Sequence, residues 1–322
     1  MEAGGFSLFS KTITIISFKN DIYVENFMNF FKLPNIKSIH GLMLRRFELL
    51  MSAKLFDEVI ERLENLSISF CNYHYTLNPF EFGASSSAIF PNLKTLKMTT
   101  ESKTRLNFVG IEFPVLEKLS LVGSFTEFTI DSYSFKKIKS IELDTNDGTN
   151  VFQQLVKNSN LKFIEHVKLS KINFNTFIRN GHKYKHLKTL KIGEFTEISN
   201  IDELAGHKII LKSLECLEIQ DCGNLDLLKL FKIPNIKKME LLRATTHYDN
   251  EFCFHHQYYP KLEDLMIQMS YHSSHPPFKI ELPTLKTLYI NKKFLNDFRH
   301  LNEVNMWDLS GKFDRYGRRL TV

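Results

Sequence analysis

Along most of the chain, apolar side chains fall into one recurring phase. An apolar residue and a turn residue lead to a leucine-type anchor, and two further leucine-type residues follow three and five positions later. The stretch Phe90-Pro91-Asn92-Leu93-Lys94-Thr95-Leu96-Lys97-Met98 shows the unit complete. Copies are Phe113-Pro114…Leu116…Leu119…Leu121, Ile138…Ile141…Leu143, Ile164…Val167…Leu169, Leu187…Leu190…Ile192 and Leu214…Leu217…Ile219. Ile236…Met239…Leu241, Leu262…Leu265…Ile267 and Leu285…Leu288…Ile290 follow. Leu63…Leu66…Ile68 and Ile36…Ile39 precede them, and Ile13…Ile15 predicts a first strand with Ser10 in the anchor slot. Twelve slots from Ser10 to Leu285 cover 275 residues in eleven steps, a mean of 25, with single steps of 22 to 30. A period of this length marks a stacked repeat architecture.

The closing pair of each unit alternates in and out, as a short strand does. Such a strand has no partner within its own unit. It must hydrogen-bond to the equivalent strand of the next, so the copies stack as a parallel ladder over a shared leucine core. With strands about 4.8 Å apart, twelve give an inner surface on the order of 50 to 60 Å long. Proline supplies an independent check. Six of nine prolines, Pro34, Pro91, Pro114, Pro234, Pro260 and Pro283, stand two residues before an anchor, each after Leu, Ile, Phe or Tyr. Proline lacks an N–H and biases the preceding residue to extended geometry, which suits a chain turning into a strand.

The return segments read two ways. Leu49 to Leu63 has a helical apolar period, and Val151–Val156, Ile201–Ala205, Leu225–Phe231 and Phe294–Phe298 suit helices. Leu106–Phe108, Ile111–Phe113 and Phe278–Leu282 alternate with period two and predict short extended pieces. Tyr75 to Phe90, with Asn78-Pro79 and Gly83-Ala84-Ser85-Ser86-Ser87, reads as an inserted loop. Leu301…Val304…Met306 predicts a closing cap. We expect one repeat domain over residues 1–310 and a polar tail over 311–322 carrying Arg315, Arg318 and Arg319.

These motifs resemble the leucine-rich-repeat superfamily, in particular the ribonuclease-inhibitor-like and cysteine-containing repeats of F-box substrate receptors. Leu214-Glu215-Cys216-Leu217-Glu218-Ile219-Gln220-Asp221-Cys222 carries the resemblance most clearly, and Cys71 and Asn146 take the place of Cys222 in their repeats. The resemblance implies an α/β horseshoe whose concave parallel sheet has about twelve short strands, with mixed helical and extended convex segments. It implies a non-enzymatic protein-binding module, or alternatively the substrate-recognition subunit of an F-box-type ubiquitin ligase. Strand signals in residues 1–40 are expected to leave no room for an F-box, so in the second role that module is missing or supplied in trans, with a ubiquitin-ligase adaptor as the partner.

Composition narrows the function. Forty-three per cent apolar residues can fill a large core, and a net charge of +6 comes from interspersed basic and acidic residues, which argues against a dedicated nucleic-acid binder. Four cysteines, Cys71, Cys216, Cys222 and Cys253, form no C-x-x-C pair. A reducing cytoplasmic or nuclear setting is expected. No apolar run spans a membrane, no cleavable leader is expected at Phe6–Phe18, and Asn65-Leu66-Ser67 is a sequon on a core strand.

Function on such a ladder belongs to the outward columns. One column reads Lys97, Ser120, Glu142, Lys168, Lys191, Glu218, Glu240, Met266, Tyr289, and the next includes Val122, Asp144, Gln220, Leu242, Gln268 and Asn291. We single out Lys97, Glu142, Lys168, Lys191, Glu218, Glu240, Leu242, Met266 and Tyr289 as partner-binding, because charges set register and large apolar side chains supply affinity. Reversing charge at Lys168, Lys191, Glu218 and Glu240 is expected to abolish partner capture while leaving the fold intact. His247, His255, His256, His272 and His275 cluster near Cys253, but their spacing matches no zinc pattern, and no metal or cofactor is expected. Glycine-rich phosphate loops, H-E-x-x-H and G-x-S-x-G are missing, so no catalytic residue is assigned.

Overall fold

The computed structural model describes residues 14–17, 34–44, 59–70, 80–82, 88–130, 135–145, 151–158, 161–170, 176–193, 209–220, 225–244, 252–269, 278–298, 300–301 and 303–308. The chain divides into two compact units, residues 1–164 and 165–322.

In the first unit the strands are β1 (Ile15–Ser17), β2 (Ser38–Leu44), β3 (Asn65–Phe70), β4 (Phe80–Phe82), β5 (Ala88–Ile89), β6 (Thr95–Asn107), β7 (Ile111–Glu112), β8 (Lys118–Thr129) and β9 (Ser140–Thr145). β1, β2, β3, β6, β8 and β9 pair in that order, all parallel. β4 joins β6 at residues 104–106, and β5 pairs with β7 as a second, smaller ladder. The second unit holds β10 (His166–Leu169), β11 (Thr189–Ile192), β12 (Ile209–Ile210), β13 (Cys216–Ile219), β14 (Phe231–Lys232), β15 (Lys238–Ala244), β16 (Phe252–His255), β17 (Asp264–Met269), β18 (Phe278–Glu281), β19 (Thr287–Ile290) and β20 (Asn305–Asp308). Here β10, β11, β13, β15, β17, β19 and β20 form the parallel ladder, and β12–β14 and β16–β18 are small parallel pairs. Each unit is a leucine-rich-repeat solenoid.

The predicted phase accounts for the core. The anchors Leu93, Leu116, Leu187, Leu214, Ile236 and Leu262 are fully buried, as are Leu119, Leu190, Leu217, Met239 and Leu265 three positions on. Most anchor N–H groups close a turn onto the carbonyl three residues back, as Leu116 does to Phe113 (3.3 Å) and Ile236 to Ile233 (3.2 Å). Proline therefore occupies the second position of a β-turn, where its fixed φ is pre-set. The residue before that proline packs inward: Phe90 stacks on Phe113 (5.1 Å), Phe113 on Phe135 (5.5 Å), and Phe108 meets Phe113 and Phe135 edge-on. Aromatic pairs in these geometries add to their area burial.

Two expectations are refined. β1 spans Ile15–Ser17 with Ile16 opposite Ile39, so Ile15 lies outward and is 60% exposed. In Thr12-Ile13-Thr14-Ile15-Ile16 either parity supplies an isoleucine; the predicted Ser10 slot would set Ile13 opposite Ile39 where Ile16 stands, and this three-residue difference, being odd, exchanges the faces. Among the return segments, residues 151–158 form a helix, α1 (Val151–Asn158), whereas Leu225–Leu230 and Lys292–Phe298 are 3-10 turns. β7 and β18 fall on the segments predicted extended. The helical reading of Leu49–Leu63 and that of Ile201–Ala205 lie largely outside the described residues, as do Cys71, Asn146 and Cys222.

One column was missed in the sequence. The residue after each anchor alternates in sign: Lys37, Glu64, Lys94, Glu117, Lys139, then Glu165, Lys188, Glu215, Lys237, Glu263, Lys286. Within the column, the backbone carbonyls of Lys37, Glu64, Lys94 and Glu117 in the first unit, and of Glu165, Lys188, Glu215, Lys237 and Glu263 in the second, each accept from two N–H groups of the next repeat, as Glu215 does from Lys237 and Lys238. Its side chains pair across strands: Glu64 with Lys37 (3.0 Å) and Lys94 (2.8 Å), Glu117 with Lys139 (2.8 Å), Glu165 with Lys188 (2.6 Å), Glu263 with Lys286 (3.0 Å). Alternation places unlike charges on adjacent repeats and like charges on repeats two apart, so it favours stacking in sequence over a skipped repeat.

Hydrogen bonds from Lys94 and Lys37 hold the Glu64 carboxyl below the ordinary glutamate range. Because the folded value is the lower one, its contribution to stability is complete above the unfolded value and drains as pH falls through the folded one. Glu64→Gln is therefore expected to lower the melting temperature slightly at neutral pH and low salt. The difference should vanish in strong acid, as followed by circular dichroism.

Candidate functional site: the strand face of residues 165–322

The register brings seven of the nine singled-out residues into this unit. Lys168, Lys191, Glu218, Glu240, Met266 and Tyr289 stand side by side on successive strands, and the row continues to Trp307. Leu242 lies on the same strand as Glu240. Lys97 and Glu142 belong to the 1–164 unit, where both are in register with Ser120, whose hydroxyl donates to Glu142 Oε2 (2.8 Å).

The middle of the row is charged but not open. Lys191 Nζ pairs with Glu218 Oε2 (2.5 Å) and Lys238 Nζ with Glu240 Oε1 (2.7 Å), and Gln220 donates to Glu218 Oε1 (3.0 Å). The carboxylate side chains are 11% and 5% exposed, the lysine side chains 44% and 47%. Negative charge thus lies beneath and ammonium heads stand above it. Sequence reading treated the glutamates as exposed contacts; here they are the inner halves of ion pairs. Reversing Glu240 alone would set two ammonium groups together in a site with little water, and a change of that kind costs stability as well as recognition.

Beside the charges lies an apolar cluster separate from the leucine core. Leu242 and Met266 are buried together and Tyr289 packs on them. Trp307, the chain's single tryptophan, stacks on Tyr289 (centroids 6.4 Å apart, planes 22° apart) and is 56% exposed. A β-bulge shapes this region. The pairing of β15 with β17 passes from Leu241↔Ile267 to Ala244↔Met269, one residue more on β15, and Arg243 takes a φ of 51°. Bulges re-aim side chains, and non-glycine residues in the left-handed region cluster at functional sites.

Next to the bulge, Gln268 is 6% exposed and its Oε1 accepts no hydrogen bond. Its neighbour Asn291 is occupied, accepting from Met269 N–H at 2.7 Å. Neither Gln268 nor Trp307 was singled out in the sequence. Trp307 lies in the cap, past the last full repeat, and an unmatched acceptor has no sequence signature. Cys216, at the edge of the charged group, has its thiol pushed up by burial, so it stays protonated and a poor nucleophile.

The histidine-rich segment resolves into separate contacts. His255 Nε2 approaches Glu281 (3.3 Å) while its Nδ1 accepts from Gln257 N–H (3.0 Å), and its ring lies against His256. Cys253 is opposite Lys279. Among the described residues no three ligating side chains converge, and His247, His272 and His275 lie outside them. No helix of the described residues is long and apolar enough to cross a membrane.

No protein-family model and no curated protein matches the chain. Among solved structures, one similar chain is from the crystal structure of a TLR13-ssRNA13 complex, at 14% identity and a TM-score of 0.47. That likeness covers 92% of this chain, and the protein spans 53%, about half, of the other.

Proposed function

We propose that the protein is a non-enzymatic recognition module that holds a protein partner on the strand face of residues 165–322. The observation that carries the reading is the second apolar cluster, Leu242, Met266 and Tyr289, on the face opposite the leucine core, ending in the exposed Trp307. An exposed aromatic anchor packed on a second apolar cluster is the composition of an interface centre, where Trp and Tyr dominate binding energy, and the half-exposed ion pairs beside it suit a polar rim. Cys216 and Cys253 are in no disulfide, which agrees with work in the cytoplasm or nucleus.

Affinity capture from a source-cell lysate tests the reading. Trp307→Ala should lose the captured protein while the melting temperature stays near that of the natural chain, since truncating an anchor of this type weakens binding by about 2 kcal/mol or more. The double exchange Lys191→Glu with Glu218→Lys keeps a pair but moves its charges, and should likewise lose capture with the fold kept. Undiminished capture by both variants would refute the site. The ubiquitin-ligase reading requires one further component, and copurification of a Skp1-like adaptor with the chain separates it from the plain scaffold.

A further inference from the structure

The chemistry of the partner is legible in the same face, and the inference rests on the reading just given. From outside, the charged group offers the ammonium heads of Lys191 and Lys238, with their carboxylates below. The apolar group begins at Leu242, on the strand of Lys238, and runs through Met266 and Tyr289 to Trp307. Two residues beyond Met266 on the same strand, Gln268 Oε1 is a buried acceptor with no hydrogen bond. A buried polar atom left unmatched is costly, and an N–H brought by a ligand removes that cost.

We propose that the occupant is an extended acidic-apolar segment of another protein, lying across the strands. Its carboxylate meets Lys191 or Lys238, its aromatic or aliphatic side chain meets Tyr289 and Trp307, and a backbone N–H is donated to Gln268. From Lys238 to Tyr289 the register takes two strand steps, about 10 Å, and from Lys191 to Trp307 five, about 24 Å. An extended chain covers these spans in about three and about seven residues. A single-stranded nucleic acid could also stack on Trp307 and meet lysines. It is disfavoured because the lysines alternate with carboxylates, Lys191 with Glu218 and Lys238 with Glu240, so no continuous run of positive charge follows a phosphate backbone, whereas a single carboxylate needs only one ammonium head.

The test pans a displayed library of random dodecapeptides against the full chain and measures the selected peptides, together with a poly-uridine oligonucleotide, by fluorescence anisotropy and by Trp307 emission. Selected peptides should carry Asp or Glu about three to seven positions from an aromatic or aliphatic residue. They should shift Trp307 emission and bind at least tenfold more weakly to Trp307→Ala, to Lys191→Glu/Lys238→Glu and to Gln268→Leu. A basic consensus, tighter binding of the oligonucleotide, or absence of any peptide sensitive to these changes overturns the proposal. Should lysate capture still depend on Trp307 in that event, the partner-binding face stands and only the acidic-apolar chemistry fails.

Discussion

Leu217→Asp should unfold the 165–322 unit rather than merely weaken it. Leu217 is fully buried, with Leu190 in register on one side and Met239 on the other. A carboxylate there has no cation within the leucine core and no water, and an uncompensated buried charge costs several kcal/mol, roughly the whole margin of a domain. Repeats are stabilised chiefly by their neighbours, so damage in the middle of a ladder removes support from both sides. The expected result is loss of the cooperative melt and of hydrogen-exchange protection across β11, β13 and β15. Leu190→Asp should do the same. A control at the exposed Lys237, such as Lys237→Gln, should change little, because surface pairs contribute at most about 1 kcal/mol. Retention of a native-like melt by Leu217→Asp would place this side chain outside any core.

Gly123→Ala should be nearly as damaging in the 1–164 unit, for a different reason. Gly123 stands opposite Thr100 where the β6–β8 register shifts before pairing resumes at Thr104 and Phe125; its φ is +116°, and a Cβ there would lie 1.9 Å from the Thr100 carbonyl oxygen. Neither element can give way easily. The obstacle is backbone, and the backbone angle is one that L-residues rarely adopt. Strain of this kind costs on the order of 1–3 kcal/mol before the clash is counted, and relief requires β6 and β8 to part. Close by, the Thr100 and Thr104 hydroxyls are 2.7 Å apart in buried surroundings, so the movement would also disturb that pair. Urea unfolding should show a lower midpoint for Gly123→Ala. Unchanged stability would mean that the two strands are not held this closely.

The ladder was legible because two independent signals agree on one phase: leucine-type residues at Leu93, Leu96 and Met98, and proline at Pro91. The strand parity at Ile15 was not, because isoleucines stand in both phases there. Nor were the turn ties fully visible. Asn92 and Asn235 donate to the carbonyls of Glu61 and Lys212 in the preceding repeat, both at 2.6 Å. The alternating column was present in the sequence as Glu64, Lys94, Glu117 and Lys139, but it falls outside the strand positions on which recognition residues are sought.

The candidate site divides the same way. Register alone placed Lys191, Glu218, Glu240, Met266 and Tyr289 in one row. Depth came from three dimensions: Glu240 and Leu242 alternate outward from the core yet are buried, because an ion pair and a bulge-side cluster close over them. Outward on a strand and exposed to solvent are different properties, and only the first has a period.

Parallel stacking is tested most directly by a distance. Spin labels at Lys188 and Lys286, placed on exposed side chains of the alternating column in a background without native cysteines, lie nearly a hundred residues apart in sequence but four strand steps apart in the ladder. Pulsed dipolar spectroscopy should give a narrow distribution near about 19 Å between backbones, broadened only by the label arms. A broad distribution, or one centred far beyond that span, would contradict the stacked ladder.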